Sequence, residues 1–248
     1  MKKDKIKRVL IIGLTILAII AVMFVNPIPQ DISYHGFIDV NNISGIANFW
    51  NVISNLPFLV VGLLGLVRLK QLNRIKDISA AYWILFFAVA MVALGSGFYH
   101  LNPNNSTLLW DRLPMTVAFM SLFSIIISEF IDVKIGKYLL LPLLLIGIAS
   151  VVYWHWYDDL RYYALVQFLP IILIPIILLM FNSKFTQISG YWWLLLAYGL
   201  AKFFEYYDRE IFELLDGFIS GHSIKHIAAA IGLYVLLRSY QSRQYQSS

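Results

Sequence analysis

The chain has 248 residues, of which 60% are hydrophobic and 16% aromatic. A soluble domain is nearer half apolar, so this composition excludes a soluble enzyme or carrier and specifies an integral membrane protein. There is no cysteine, which excludes disulfides, thiolate metal sites, a cysteine nucleophile and a lipoprotein anchor. The net charge of +5 is spread over loops and ends; it reports orientation in a membrane and not nucleic-acid binding.

Met1 to Arg8 is basic, and Val9 to Asn26 is an uncharged apolar run. No small-x-small cleavage site precedes Asn26-Pro27-Ile28-Pro29, so the run reads as a retained helix and not a signal peptide. A polar segment, Gln30 to Asn48, leads to a second span from Phe49 to about Val67. That span carries Asn51 and Asn55, which with Asn48 make a polar stripe at helical spacing, suited to interhelical hydrogen bonds. After a basic loop, Arg68 to Asp77, the third span runs from Ile78 to His100 and ends in Gly95-Ser96-Gly97-Phe98-Tyr99-His100. Leu101 to Asn105 then leads through Trp110-Asp111-Arg112 into a fourth span reaching about Ile131, with Pro114 expected in its first turn.

Three further spans follow, Tyr138 to about Trp156, Tyr162 to Phe181, and about Ile188 to Tyr206. Lys202 and Glu205 interrupt the last of these at a spacing that permits an ion pair. An acidic loop with Asp208, Glu210, Glu213 and Asp216 precedes the final span, Gly217 to Leu237, and a polar tail, Gln241 to Ser248. Eight helical spans result, helices being the open structure that lipid permits. Alternating them from a cytoplasmic N-terminus puts the lysines and arginines mostly inside and the acids outside, as the basic-residue rule requires. Both termini are then cytoplasmic.

In that topology His100 ends the third span on the outer side, Asp111 begins the fourth there, and His222 and His226 begin the eighth there. His222 and His226 stand one turn apart on one helix face, about 40° from each other around the axis. Imidazole is costly in hydrocarbon and has to face a partner, a cavity or a metal. Three histidines at one depth suit a catalytic zinc site whose fourth position is left to water; such water ionises near neutral pH and attacks a polarised carbonyl. Asp111 can take the proton, and Ser96, one turn before His100 on the same face, can donate to the oxyanion. His35 and His155 read as loop or span-end residues without a ligand role. Lys225 reads as a structural salt bridge to Glu205 or Asp208. A b-type haem between two of the histidines is the alternative, but it leaves the third histidine and Asp111 unexplained.

At these residues the chain resembles the alkaline ceramidases, part of a superfamily of membrane hydrolases that includes adiponectin-receptor-like proteins. The resemblance rests on Ser96 and His100 in S-G-F-Y-H, Asp111 in W-D-R-L-P-M, and His222 and His226 in G-H-S-I-K-H. It extends to Asn48-Phe49-Trp50-Asn51, similar to the motif opening the family's first core helix. It implies an all-α integral membrane fold, a seven-helix hydrolase core with one extra N-terminal transmembrane helix. Residues 1–30 would hold the basic start and that helix, 31–240 the catalytic domain, and 241–248 a cytoplasmic tail. It further implies a zinc-dependent amide hydrolase that cleaves ceramide or another N-acyl membrane lipid to a sphingoid base and a fatty acid. His100, His222 and His226 would hold the zinc, with Asp111 and Ser96 at the catalytic water and oxyanion. A receptor-like lipid sensor of the same fold is the other expectation. Eukaryotic members also bind calcium through acids before that first core helix, with a glutamate where this chain has Asn48. A second cation site here would fall to Asp39, Asn41 and Asn48, with a single carboxylate where a hard cation wants several oxygens.

Overall fold

A computed structural model describes residues 2–246, and among them secondary structure is helical apart from two isolated bridges. The expected spans correspond to α1 (Lys2–Met23), the pair α2 (Phe49–Ile53) and α3 (Leu56–Val67), α4 (Ser79–Leu101), α5 (Asn105–Ile126), α6 (Val133–Tyr157), α7 (Arg161–Met180), α8 (Ser189–Tyr206) and α10 (Gly221–Ser242), with a short α9 (Asp208–Leu214) in the expected acidic loop. Six of these spans, α1 to α7 with α2 and α3 taken together, are long and apolar enough to cross a membrane by length and composition. The chain is a multi-pass all-α membrane protein. α8 and α10 match the others in length, but Lys202 and Glu205 in one and the histidines and Lys225 in the other lower their hydropathy. Both turn these groups inward, where all of them line one cavity.

Two of the departures from the expected boundaries have clear local reasons. The fourth span begins at Asn105, well before Trp110, because Asn104 caps it: its Oδ1 accepts from the Ser106 and Thr107 amides at 2.9 and 3.1 Å, and the Thr107 hydroxyl accepts from the Asn104 amide. Asp111 therefore stands almost two turns inside the helix, and Pro114 lies in its interior rather than in its first turn. Proline lacks the N–H that would bond the Trp110 carbonyl. That carbonyl faces Gly95 of α4, where an added Cβ would sit 2.0 Å from it. Glycine here lets α4 and α5 approach beside Ser96. The second departure is at the far end of α5, where a π turn, Ile127–Ile131, replaces regular helix.

That π turn carries Glu129, fully buried and unremarked in the sequence. Arg243 reaches it with two parallel bonds, Nη1 to Oε2 at 2.8 Å and Nη2 to Oε1 at 2.6 Å. Tyr191 donates to Oε2 at 2.7 Å and Tyr82 donates to Oε1. Arg243 Nε also bonds the Asn73 carbonyl at 2.8 Å. The described part of the polar tail is thus tied down: Gln246 donates its amide to the Lys184 carbonyl at 2.8 Å, and Thr186 to the Gln244 carbonyl at 2.9 Å. Met1 of the basic start and Ser247 and Ser248 of the tail lie outside the described residues.

α4 packs on α3 and α5, α10 on α8 and α3, and α7 on α5 and α6, enclosing an interior between α3, α4, α5, α7, α8 and α10. At α8 and α10 the approach is close enough that a Cβ on Gly232 would sit 2.4 Å from that of Ala197. α1 lies outside this ring against α7, most of its surface exposed, as an added helix facing lipid would be.

Candidate metal centre and its cavity

His100 arrives at the C-terminal end of α4 and His222 and His226 at the N-terminal end of α10, so antiparallel helices bring all three to one end of the bundle. α10 starts there because the Ser220 hydroxyl caps the Ser223 amide at 3.3 Å and Asp208 accepts from the His222 amide at 2.6 Å. One ring nitrogen from each histidine lies within 4.8 Å of the others, and all three residues are buried. His100 Nε2 and His222 Nε2 are 3.4 Å apart.

The surrounding residues orient the rings. The Ser54 hydroxyl, in the break between α2 and α3, lies 2.8 Å from His226 Nδ1, leaving Nε2 for the cluster. Asn48 Nδ2 donates to the His100 carbonyl at 2.7 Å, and Ser223 donates to Asn51 Oδ1 at 2.8 Å. The expected asparagine stripe is therefore interhelical at Asn48 and Asn51, whereas Asn55 turns back to the Asn51 carbonyl at 2.7 Å. The Phe37 ring covers the cluster, its centroid 4.5 Å from that of His222 and 4.7 Å from that of His100. Sequence reasoning missed Ser54 and Phe37, and it offered Asp208 as a partner for Lys225 where it instead caps the His222 amide; a serine and a phenylalanine on separate segments carry no pattern that links them to a distant histidine.

The donor set fits a metal. Three imidazoles converge from two helices on one point, and the close Nε2 pair cannot both carry protons toward each other. The borderline cation zinc takes such nitrogen ligands in three-plus-one sites. Haem ligation, with imidazoles on opposite faces of a macrocycle, does not describe rings packed directly against one another, edge to face or tilted, at centroid distances of 4.9 to 5.2 Å.

Ser96 and Asp111 line the same cavity as the three histidines. The cavity measures about 340 Å³, within the range of small-molecule sites. Its two ends differ in chemistry. Around the histidines it is polar, with Tyr34, Arg112, Gln167, Lys202, Glu205 and Lys225; toward the far end of the bundle it is apolar, with Val89, Leu122, Ile126, Ile174, Leu194 and Leu233 among its walls. The expected Lys202–Glu205 pair forms at 2.5 Å, and Lys225 bonds the other oxygen of Glu205 at 2.5 Å.

The remaining sequence candidates fall elsewhere. His35 bridges the Tyr99 hydroxyl and Asn105 Oδ1, both at 2.9 Å, and ties the loop before α2 to α4 and α5. His155, near the end of α6, does not line the cavity. Asp39 is fully buried, with one oxygen accepting from the Asn41 amide at 3.2 Å and the other without a partner. Burial pushes its carboxyl above the usual range. The amide nitrogens of Asn41 and Asn48 are spent on the Gly217 and His100 carbonyls.

Fold and site together define a polytopic membrane protein with a three-imidazole centre at the polar head of an apolar cavity. The chain belongs to the Ceramidase family, which it matches over residues 39–247; α1 lies outside the match. No curated protein matches the chain. Membership implies an amide hydrolase acting on a lipid substrate such as ceramide.

Proposed function

We propose that the protein is a zinc-dependent membrane hydrolase that cleaves the amide bond of a ceramide-like N-acyl lipid to a sphingoid base and a fatty acid. The observation that carries this reading is the convergence of His100, His222 and His226 at the head of a cavity that also holds Asp111 and Ser96. The three histidines would hold the ion, which when bound polarises a carbonyl and lowers the pKa of water. Asp111 takes the proton from the attacking water and delivers it to the leaving nitrogen as the C–N bond breaks, which balances the hydrolysis. Ser96 donates its hydroxyl hydrogen to the oxygen that gains charge. Phe37 shields the centre from the aqueous side and strengthens each of these interactions. The acyl chain lies along the apolar walls toward Leu122 and Leu233. The distribution of basic residues supports cytoplasmic termini and a site toward the extracytoplasmic side. The single carboxylate at Asp39 gives little support to a calcium site beside it.

The deciding measurement is metal content by mass spectrometry on purified wild type and the His100→Ala/His226→Ala variant. We expect about one zinc per chain in the wild type, following the three-ligand reading, and none in the variant. Absence of a transition metal from carefully handled wild type would overturn the mechanism. Turnover of an N-acyl sphingoid lipid, lost in Asp111→Ala, separates the enzyme from a lipid sensor built on the same cavity.

A further inference from the structure

Arg112 follows Asp111 directly, yet nothing in the proposed hydrolysis uses it. It is 6% exposed and lines the polar end of the cavity. Nη2 donates to Gln30 Oε1 at 2.7 Å, while Nη1 is buried without an acceptor. The guanidinium carbon lies 4.0 Å from the Trp154 ring centroid, 4.6 Å from that of Tyr163 and 5.8 Å from that of Tyr34. Stacked aromatics fix the plane of an arginine and so the directions of its donors. The indole N–H of Trp154 is also buried without an acceptor.

Two buried donors of this cage lack an acceptor, and the charged one belongs to a residue that lines the cavity. Among the described residues no carboxylate forms an ion pair with Arg112. Glu205 is shared between Lys202 and Lys225. The cavity's polar end therefore carries three cations against two carboxylates, before any metal adds its own charge. A buried charge without a counter-charge is costly, so the missing partner is an anion. The apolar walls take the acyl side of the scissile amide, which leaves the amine side at the Arg112 end.

We propose that Arg112 forms a head-group subsite, in which its free guanidinium nitrogen receives an anionic oxygen (carboxylate, sulfonate or phosphate) carried on the amine side of an N-acyl lipid. The proposal rests on the amide-hydrolase reading and narrows its substrate. The subsite selects anionic head groups over neutral ones of the same chain length. A neutral lipid such as ceramide is still accepted but turned over less efficiently, because it leaves the buried cation unpaired.

The test uses the full-length protein in nanodiscs, as wild type, Arg112→Gln and Arg112→Lys. Two matched pairs serve as probes: N-palmitoylethanolamine with N-palmitoyltaurine, and N-palmitoylsphingosine with its 1-phosphate. Turnover is read as kcat/KM, and binding separately by displacement of a fluorescent N-acyl lipid. Wild type is expected to favour the anionic member of each pair by about tenfold or more, the scale of one charge-assisted contact. Arg112→Gln should collapse that ratio toward one, and Arg112→Lys should retain part of it. An unchanged ratio in Arg112→Gln would overturn the proposal, as would equal losses on both members of a pair, which mark a purely structural arginine. Weaker inhibition by palmitate with an unchanged ratio would overturn it too, since the anion held would then be the released acid. Anion-selective binding that depends on Arg112, without hydrolysis of any probe, would keep the subsite and sink the hydrolase reading.

Discussion

Ser54 and His226 lie 172 positions apart, and their contact at 2.8 Å decides which nitrogen of that ring faces the centre. If Nδ1–H donates to the hydroxyl, Nε2 is left unprotonated for a metal, the arrangement by which outer groups set the tautomer and basicity of a ligand. Ser54→Ala leaves the imidazole free to choose the other tautomer. Zinc affinity, read by competition with a chelator, is expected to fall about tenfold to a hundredfold, the usual cost of such a partner. Unchanged affinity would reduce Ser54 to a backbone bond in the break between α2 and α3. Sequence periodicity could not find this residue, because nothing local relates it to α10. Asp111 and Ser96, by contrast, were legible: their distances from His100 along two helices of opposite direction place them at its depth.

At the scale of elements, the segment joining α1 to α2 is strapped to the turn between α6 and α7. Gln30 donates its amide to Asp158 Oδ1 at 2.9 Å and Ile28 to Asp159 Oδ1 at 3.3 Å, while the Leu160 amide returns to the Ile28 carbonyl at 2.8 Å. Arg161 grips Asp159 through Nε and Nη2, with the ion pair at 2.8 Å. This strap matters because Gln30 in turn holds Arg112. The Arg161 side chain, then the Arg161 and Ile28 amides, hold the Asp159 carboxyl below the usual range. A depressed folded pKa contributes stability that is complete above the unfolded value of about 4 and is lost as pH falls through the folded one. We therefore expect Asp159→Asn to lower the melting temperature at pH 6, with the difference from wild type beginning to shrink below about pH 4 and disappearing as pH falls through the lower folded value. A difference that persists undiminished into acid would show that the strap does not depend on this charge. The helices at either end of the strap were foreseen, whereas the strap itself pairs short polar segments that only packing brings together.

Across the whole molecule the polar groups gather at two ends of one apolar bundle. One end holds the histidine centre and the cavity head. The other holds Glu129, which accepts from Arg243, Tyr82 and Tyr191. Tyr191 also lines the floor of the cavity, so the buried ion pair supports the apolar end of that cavity as well as anchoring the segment that follows α10. Removing one partner of such a pair leaves the other charged and unpaired at a cost of about 3–5 kcal/mol. Glu129→Ala is expected to destabilise by that order in thermal or denaturant unfolding, whereas Glu129→Ala/Arg243→Met should recover a good part of it. Failure of the double variant to recover would show that the tyrosines, more than the arginine, depend on Glu129.

Composition and hydrophobic patterning alone determined that this chain is a bundle of membrane helices, because lipid admits few other backbones. The alternation of those helices placed His100, Asp111, His222 and His226 at one end, because a helix that crosses the membrane delivers its termini to opposite faces. Tertiary structure decided the rest. Whether three histidines at one depth converge depends on which helices are neighbours, and this is set by close approaches such as Gly95 on the Trp110 carbonyl and Gly232 on Ala197. The cage around Arg112 gathers Tyr34, Trp154 and Tyr163 from three separate segments, and the π turn that buries Glu129 answers to an arginine 114 residues away. Such contacts are products of side-chain packing between distant elements, and a one-dimensional pattern records only the faces that pack, not the partners they find.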